Sequence, residues 1–305
     1  MKILVVGVGA VGGYFGGRLI EKGEDVTFLV REKRQQQLNE QGLNIQSVHG
    51  DFHYSPKTIQ TNDQSQPFDV IILSTKAYHL KGAIESISPF VGDETMILPL
   101  LNGISHVDEL IHVFGEEKVI GGLCFVESTL DDKGTIIQSS PIHDVVFGER
   151  DGKRTERITR LEEAFSNTKA KFSLSSSIVQ EMWHKYLFIT TLSGVTSLFR
   201  APIGPIREND KGKEIIQNVL SQTASIMRSI NAPIGEQIEE ALFEKLNQMG
   251  YTMKSSLQRD MEKSLPIEAK HLYGYLVEIA DNKGIPAPEL NIIYSNLQIY
   301  ETENL

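Results

Sequence analysis

This chain has little that could staple, anchor or heavily charge it. Of its 305 residues one is cysteine and one is tryptophan. A single thiol excludes an internal disulfide framework and suits a reducing compartment. Cys124 lies in the apolar run "VIGGLCFV", which reads as a buried strand and not as the setting of a nucleophile. No block of Lys and Arg stands against the net charge of -10. A general nucleic-acid binder is therefore excluded, and any anionic ligand must be held by a few local cations. No stretch approaches the roughly 18 apolar residues of a membrane span. The apolar run after Lys2 is broken by glycines and followed by no small-residue cleavage site, so a cytoplasmic protein without membrane partners is expected. The histidines show no metal-ligand spacing, and no metal site is expected.

What is present is the composition of an ordinary globular protein, 40% hydrophobic and 23% charged. The length exceeds what one core usually organises, and two domains follow. "KILVVGVG" and "DVTFLV" read as buried parallel strands around the helix "GGYFGGRLIEKG", which Gly23 closes. Apolar runs at "FDVIILST", "TMILPLLNG" and "VIGGLCFV" continue the alternation, with helical patterns between them, and predict an α/β Rossmann-type doubly wound sheet. "GTIIQSS", "HDVVFGE" and "AKFSLSS" are expected to extend or flank that sheet, and "GERDGKRTER" to be a solvated turn entering a helix. From about Ser175 the pattern becomes helical throughout. A dinucleotide-binding domain over 1–174 and an all-helical domain over 175–305 are expected to abut around a cleft, with no linker between them.

Gly7, Gly9 and Gly12 form GxGxxG where the first strand meets the first helix. Gly7 allows the tight turn, Gly9 lets backbone approach a pyrophosphate, and Gly12 permits close helix packing, so the segment Gly7, Val8, Gly9, Ala10, Val11 and Gly12 is the expected cofactor loop. The end of the second strand selects the cofactor. An Asp or Glu there suits a free ribose 2'-hydroxyl, whereas this chain reads "FLVREKR". Arg31, helped by Lys33 or Arg34, can pair with a 2'-phosphate, which favours NADPH; the alternative is a solvated basic turn. Lys76 in "STKAY" and Asn102 in "LLNGI" follow later strand ends, where ligands gather in open α/β sheets.

With "MWHKYLF", "KSSLQRDMEKSLPIEA" and "NKGIPAPELNIIY" added in this order, the chain resembles the ketopantoate reductase family, the 2-dehydropantoate 2-reductases, over nearly its whole length. The resemblance implies NADPH-dependent reduction of a 2-oxo acid. It makes Lys185 the proton donor, Glu268 the partner of that lysine and of the bound ligands, and Asn102 and Ser256 substrate contacts. The chemistry asks for such groups, because hydride attack on a ketone leaves negative charge on oxygen that a cation can stabilise and protonate. A homodimer through the helical domain is compatible with the resemblance.

The chain also departs from the family pattern. Asparagines are usual four and eight residues after the lysine, where Ile189 and Ser193 stand, and Ile203 falls near a further family asparagine. "IEAK" carries Lys270 in place of an acid. The expected pocket has fewer hydrogen-bond donors and more apolar wall. A D-2-hydroxyacid dehydrogenase for branched-chain substrates is therefore the first rival reading. A non-catalytic NADPH-binding sensor or interaction module is the second, and retention of Lys185 and Glu268 speaks against it. His184, beside Lys185 in sequence but about 100 degrees round the helix, is expected at the surface.

Overall fold

The computed structural model describes residues 1–304. It divides into two compact units, Met1–Leu101 with His106–Ile178, and Asn102–Ser105 with Val179–Leu305. Among the described residues the first unit holds ten strands: β1 (Lys2–Val6), β2 (Asp25–Leu29), β3 (Leu43–Ser47), β4 (Phe52–Tyr54), β5 (Lys57–Ile59), β6 (Val70–Leu73), β7 (Met96–Pro99), β8 (Gly121–Leu130), β9 (Ile136–Gly148) and β10 (Lys171–Leu174). Its helices are α1 (Ala10–Lys22), α2 (Glu32–Gln41), α3 (Leu80–Ile87), α4 (Ser105–Phe114, which begins at the division) and α5 (Glu156–Phe165).

Five strands form a parallel sheet in the order β5-β2-β1-β6-β7. "VIIL" and "MILP" are buried at every position, as strands covered on both faces require. The remaining five make a second, mixed sheet built on β9. Helix α1 lies between the two sheets. A Cβ on Gly16 would come 2.6 Å from the Phe28 ring of the first sheet, and Cβ atoms on Gly13 and Gly17 would come 2.6 and 2.5 Å from Ile136 and Ile45 of the second. The "GGYFGG" pattern is thus the cost of wedging one helix between two sheets at close range.

The expectation that the later strands extend or flank the first sheet is corrected by this second sheet. "GTIIQSS" and "HDVVFGE" are parts of one strand, β9, which continues through Pro141. Pro141 is tolerated because the ladder with β8 jumps from Gln138 to His143, leaving the intervening residues without a paired N–H to lose. Nor is "GERDGKRTER" wholly solvated. Glu149 is buried and accepts from Arg157 Nε and Nη2 at 2.7 Å each and from Thr155 Oγ1 at 2.6 Å. Cys124 is a buried thiol on β8, as expected.

The second unit contains α6 (Ile178–Phe199, its first residue grouping with the first unit), α7 (Ile203–Glu208), α8 (Asp210–Ser229), α9 (Ile238–Gln248), α10 (Ser256–Glu262), α11 (Tyr275–Lys283) and α12 (Pro288–Asn304), with no strand among its described residues. The all-helical expectation holds. Among the described residues, no helix is long and apolar enough to cross a membrane.

Between α1 and β9 sits a titratable cluster. Tyr14 Oη and His143 Nδ1 are 2.7 Å apart, and the His143 ring stacks on His49 at 3.6 Å between centroids. Burial, then His49, then Arg18 hold the His143 pKa below the usual imidazole value of about 6.5. The folded state therefore prefers the neutral ring, and the unfolded chain takes up more protons in the window below that value. The stability this contributes is complete above pH of about 6.5 and is lost as pH falls through the lowered pKa. Thermal melts at stepped pH should show the midpoint falling below pH of about 6.5, with a shallower fall in His143→Gln; an equally steep fall in both would assign the acid lability elsewhere.

Candidate functional site

The glycine turn is built as the motif predicts. Gly7 takes φ +85°, and a Cβ there would meet Ser74 O at 2.8 Å. A Cβ on Gly12 would collide with Ser74 Oγ and Gly7 O, whereas one on Gly9 has nothing within 4 Å. Gly7 and Gly12 are thus filled from within, and Gly9 borders open space at the start of α1. Ser74, at the end of β6, fastens the turn by donating to Val6 O at 2.9 Å and Gly7 O at 3.2 Å. Ser128 Oγ donates to Ala10 O at 3.1 Å from beside an irregularity in β8. These two serines escaped the sequence reading because both act on backbone far away in the chain.

Arg31 is the residue before α2 and is exposed, while Arg34 is half-buried in that helix's first turn. Arg34 Nη1 donates to Gln37 Oε1 at 2.6 Å, but its Nε and Nη2 are buried without a hydrogen-bond partner. Burial lowers its pKa, so its charge is held at a cost that an arriving anion would offset. The residues fit a nicotinamide dinucleotide: an open backbone cradle at a helix start, and an under-satisfied guanidinium beyond β2. Lys76 stands just after β6, at the start of a short 3-10 turn (Ala77–His79).

In the helical unit, Lys185, Ile189 and Ser193 follow one another along α6 at four-residue steps, on one side of the helix. Lys185 and Ser193 are nearly buried and Ile189 is half-buried. Ser256 is exposed at the first turn of α10. Its neighbour Ser255 caps that helix and meets Thr196 of α6, Oγ to Oγ1, at 2.8 Å. Ile203 is fully buried, its N–H bonded to Met253 O at 2.9 Å, so at that place the family's amide has become core. Lys270 is exposed. His184 departs from expectation: it is partly buried, Nε2 accepts the Gly235 N–H at 3.0 Å, and burial lowers its pKa.

Glu268 is nearly buried and directly precedes a widened helical turn, the π-turn Lys270–Gly274, that runs into α11. Such turns recur at functional sites. Tyr186 Oη donates to Leu272 O at 2.7 Å, and Tyr273 Oη donates to Thr190 O at 2.8 Å. Burial raises both phenol pKa values, so both remain donors. The turn after Glu268 is thereby stitched to the helix that carries Lys185, at the residue next to that lysine and one turn further on. Asn102, which follows β7 in the chain, groups with this unit, and its carbonyl accepts from His271 Nε2 at 2.8 Å. Asn102, Glu268 and the Lys185 helix are therefore joined through one turn.

A dinucleotide cradle in an α/β unit, followed by a helical unit with a nearly buried lysine and glutamate, defines a nicotinamide-dependent oxidoreductase. Residues 3–152 match the family described as "Ketopantoate reductase PanE/ApbA", and residues 177–301 match its "C terminal" part. The chain belongs to the ketopantoate reductase family, whose members reduce small 2-oxo acids. It is 47% identical over 303 residues, spanning 99% of this chain and 100% of the relative, to the "Uncharacterized oxidoreductase YkpB" of Bacillus subtilis. A 2-dehydropantoate 2-reductase of Aquifex aeolicus is 25% identical, covering 100% of this chain and 98% of its own. Among solved structures, a D-mandelate dehydrogenase with NADH and anilino(oxo)acetate shares the fold, with TM-score 0.89 at 18% identity, over 100% of this chain and 99% of that one.

The two glycine positions separate fold from binding. Gly9→Ala should keep the thermal midpoint within about 2 °C and weaken cofactor affinity by at least about tenfold, while Gly12→Ala should lower stability by about 1–3 kcal/mol through overpacking. Calorimetry with a cofactor titration checks this; unchanged affinity in Gly9→Ala would remove the pyrophosphate from that cradle.

Proposed function

We propose that this protein is an NADPH-dependent reductase of ketopantoate to pantoate, a step of pantothenate and hence coenzyme A synthesis. The observation that carries the reading is the nearly buried Lys185, on a helix fastened by two tyrosine hydroxyls to the turn that follows the nearly buried Glu268. The substrate class follows from the family. A nicotinamide dinucleotide held at the glycine turn would, when bound, supply hydride to the carbonyl carbon. Lys185 stabilises the charge growing on the carbonyl oxygen and gives it a proton. Glu268 keeps that ammonium in place and orients the ligands, while the Asn102 side chain and Ser256 hydroxyl hold the substrate's carboxylate and hydroxyl. Val8, Ala10 and Val11 complete the glycine loop, and Lys76 adds positive charge at a strand end.

NADPH is favoured over NADH by Arg31 and by the two partnerless nitrogens of Arg34. A 2'-phosphate would pair with the exposed Arg31, and with Arg34 once that side chain turns outward, through charge-assisted hydrogen bonds each worth about 1.5–3 kcal/mol.

One observation favours a second reading. Ile189, half-buried four residues after Lys185, offers an apolar wall where an amide would bind a substrate hydroxyl. A branched or aryl 2-oxo acid without that hydroxyl would suit it, and the fold shared with a D-mandelate dehydrogenase is compatible with such a substrate.

The test is NADPH oxidation with ketopantoate beside 2-oxoisovalerate, 2-oxoisocaproate and benzoylformate. Ketopantoate should lead, Lys185→Ala should lose about 100- to 10,000-fold in kcat, and Arg34→Ala should weaken NADPH by about tenfold or more while sparing NADH. A lead for the branched or aryl acids moves the assignment to the second reading. NADPH binding without turnover of any acid rejects the reductase reading in favour of a sensor.

A further inference from the structure

His271 is assigned no task by the reduction, yet it occupies the junction of the site's parts. Its Nε2 lies 2.8 Å from Asn102 O and its Nδ1 lies 3.2 Å from Ser105 Oγ. A carbonyl only accepts, so Nε2 donates to Asn102 O, while Nδ1 pairs with the Ser105 hydroxyl. Both ring nitrogens are thereby engaged with this segment. Between Asn102 and Ser105, Gly103 takes φ +81°, and a Cβ there would fall 2.7 Å from His271 Nε2. The imidazole thus covers the segment 102–105 from end to end, and the glycine exists there to let it approach.

The other end of this link is equally short. His271 lies three residues after Glu268, inside the helical turn closed by Leu272 N–H to Glu268 O at 3.0 Å. The backbone that fixes His271 therefore also fixes Glu268. This contact spans 169 residues of chain. It links the Asn102 segment directly to the turn that follows Glu268.

We propose that His271 is a positioning residue for the reduction: through its Nε2–H bond to Asn102 O it sets the Asn102 side chain in register with Glu268 and the Lys185 helix. It touches neither substrate nor cofactor in this role. The proposal rests on the reductase reading for its kinetic consequence but not for its structural one.

The experiment compares His271→Ala, His271→Asn and His271→Gln. The Gln amide reaches the place of Nε2, whereas the Asn amide reaches only that of Nδ1, so Gln should behave like the parent and Asn like Ala. Amide hydrogen exchange across residues 102–105, without any substrate, should accelerate by about tenfold or more in the Ala and Asn variants and return towards the parent rate in Gln. With ketopantoate, kcat/KM should fall by about 30- to 100-fold in Ala and Asn and recover to within about fivefold in Gln. The loss should appear in kcat and in ketopantoate KM, with the thermal midpoint within about 3 °C of the parent.

Exchange that stays at the parent rate in His271→Ala overturns the proposal. So does a Gln variant as impaired as Asn, or a kinetic loss that only tracks a falling midpoint. If the parent turns over no 2-oxo acid, the reductase reading fails by itself; the exchange arm and an NADPH titration still decide whether His271 sets the Asn102 segment. Should His271→Ala not fold, the Gln and Asn pair carries the comparison.

Discussion

The helical half of the site depends on one departure from α-helical geometry. At Lys270–Gly274 the helix widens by a residue per turn, which by itself weakens the regular ladder. Three hydrogen bonds hold the widened turn to two other segments: Tyr186 of α6 on Leu272 O, the turn's own Tyr273 on Thr190 O of α6, and its His271 on Asn102 O. Each bond contributes about 1 kcal/mol net, but losing one would strand a buried polar group at about 1–3 kcal/mol. Burial raises both phenol pKa values, so the two tyrosine hydroxyls remain donors. A locally poor helix is thereby tied to the rest of the unit by side-chain hydrogen bonds.

On α6 and at the start of α7, the three positions where the family resemblance leads one to expect amides are occupied in three different ways. Ile203 has become core outright, with its backbone satisfied by Met253. Ile189 stays half-buried on the lysine's side, and Ser193 keeps a small polar group a turn further on. Thr196 and Ser255, joined hydroxyl to hydroxyl, tie α6 to the cap of α10 just beside Ser256. The scaffold around the lysine is therefore fastened by buried hydrogen bonds, while Ile189 and Ser193 on the lysine's side are not used for that fastening. Fastening and recognition are separable properties: fastening is paid in buried hydrogen bonds within the protein, recognition in bonds left open for a ligand.

Much of this was legible in the sequence, for stated reasons. Parallel strands buried on both faces must be continuous apolar runs, and "VIIL" and "MILP" are. The glycine turn could be read because strand and helix flank it at the right spacing. Lys185 and Glu268 were reached only through a family resemblance, since a lysine and a glutamate in helical patterns are otherwise unremarkable. What could not be read depends on distant partners. The polar strand "LNIQS" exists because it pairs with β9 some 90 residues later. β9 runs on through Pro141 only because its ladder skips that stretch. Glu149 is buried only because Arg157 reaches it. His271 looked idle because its partner lies 169 residues away. Arg34 looked secondary to Arg31 until its burial set it apart.

Helix α1, held between two sheets by glycines on opposite faces, has little room to rock or slide. The N–H groups at its start are thus ordered before any phosphate arrives. Ligand binding then carries almost no entropic charge for organising the loop, and the affinity gained from each backbone contact is kept in full. The second sheet contributes none of the glycine turn's residues, yet it fixes the turn through its packing against α1 and the Ser128 bond to Ala10 O.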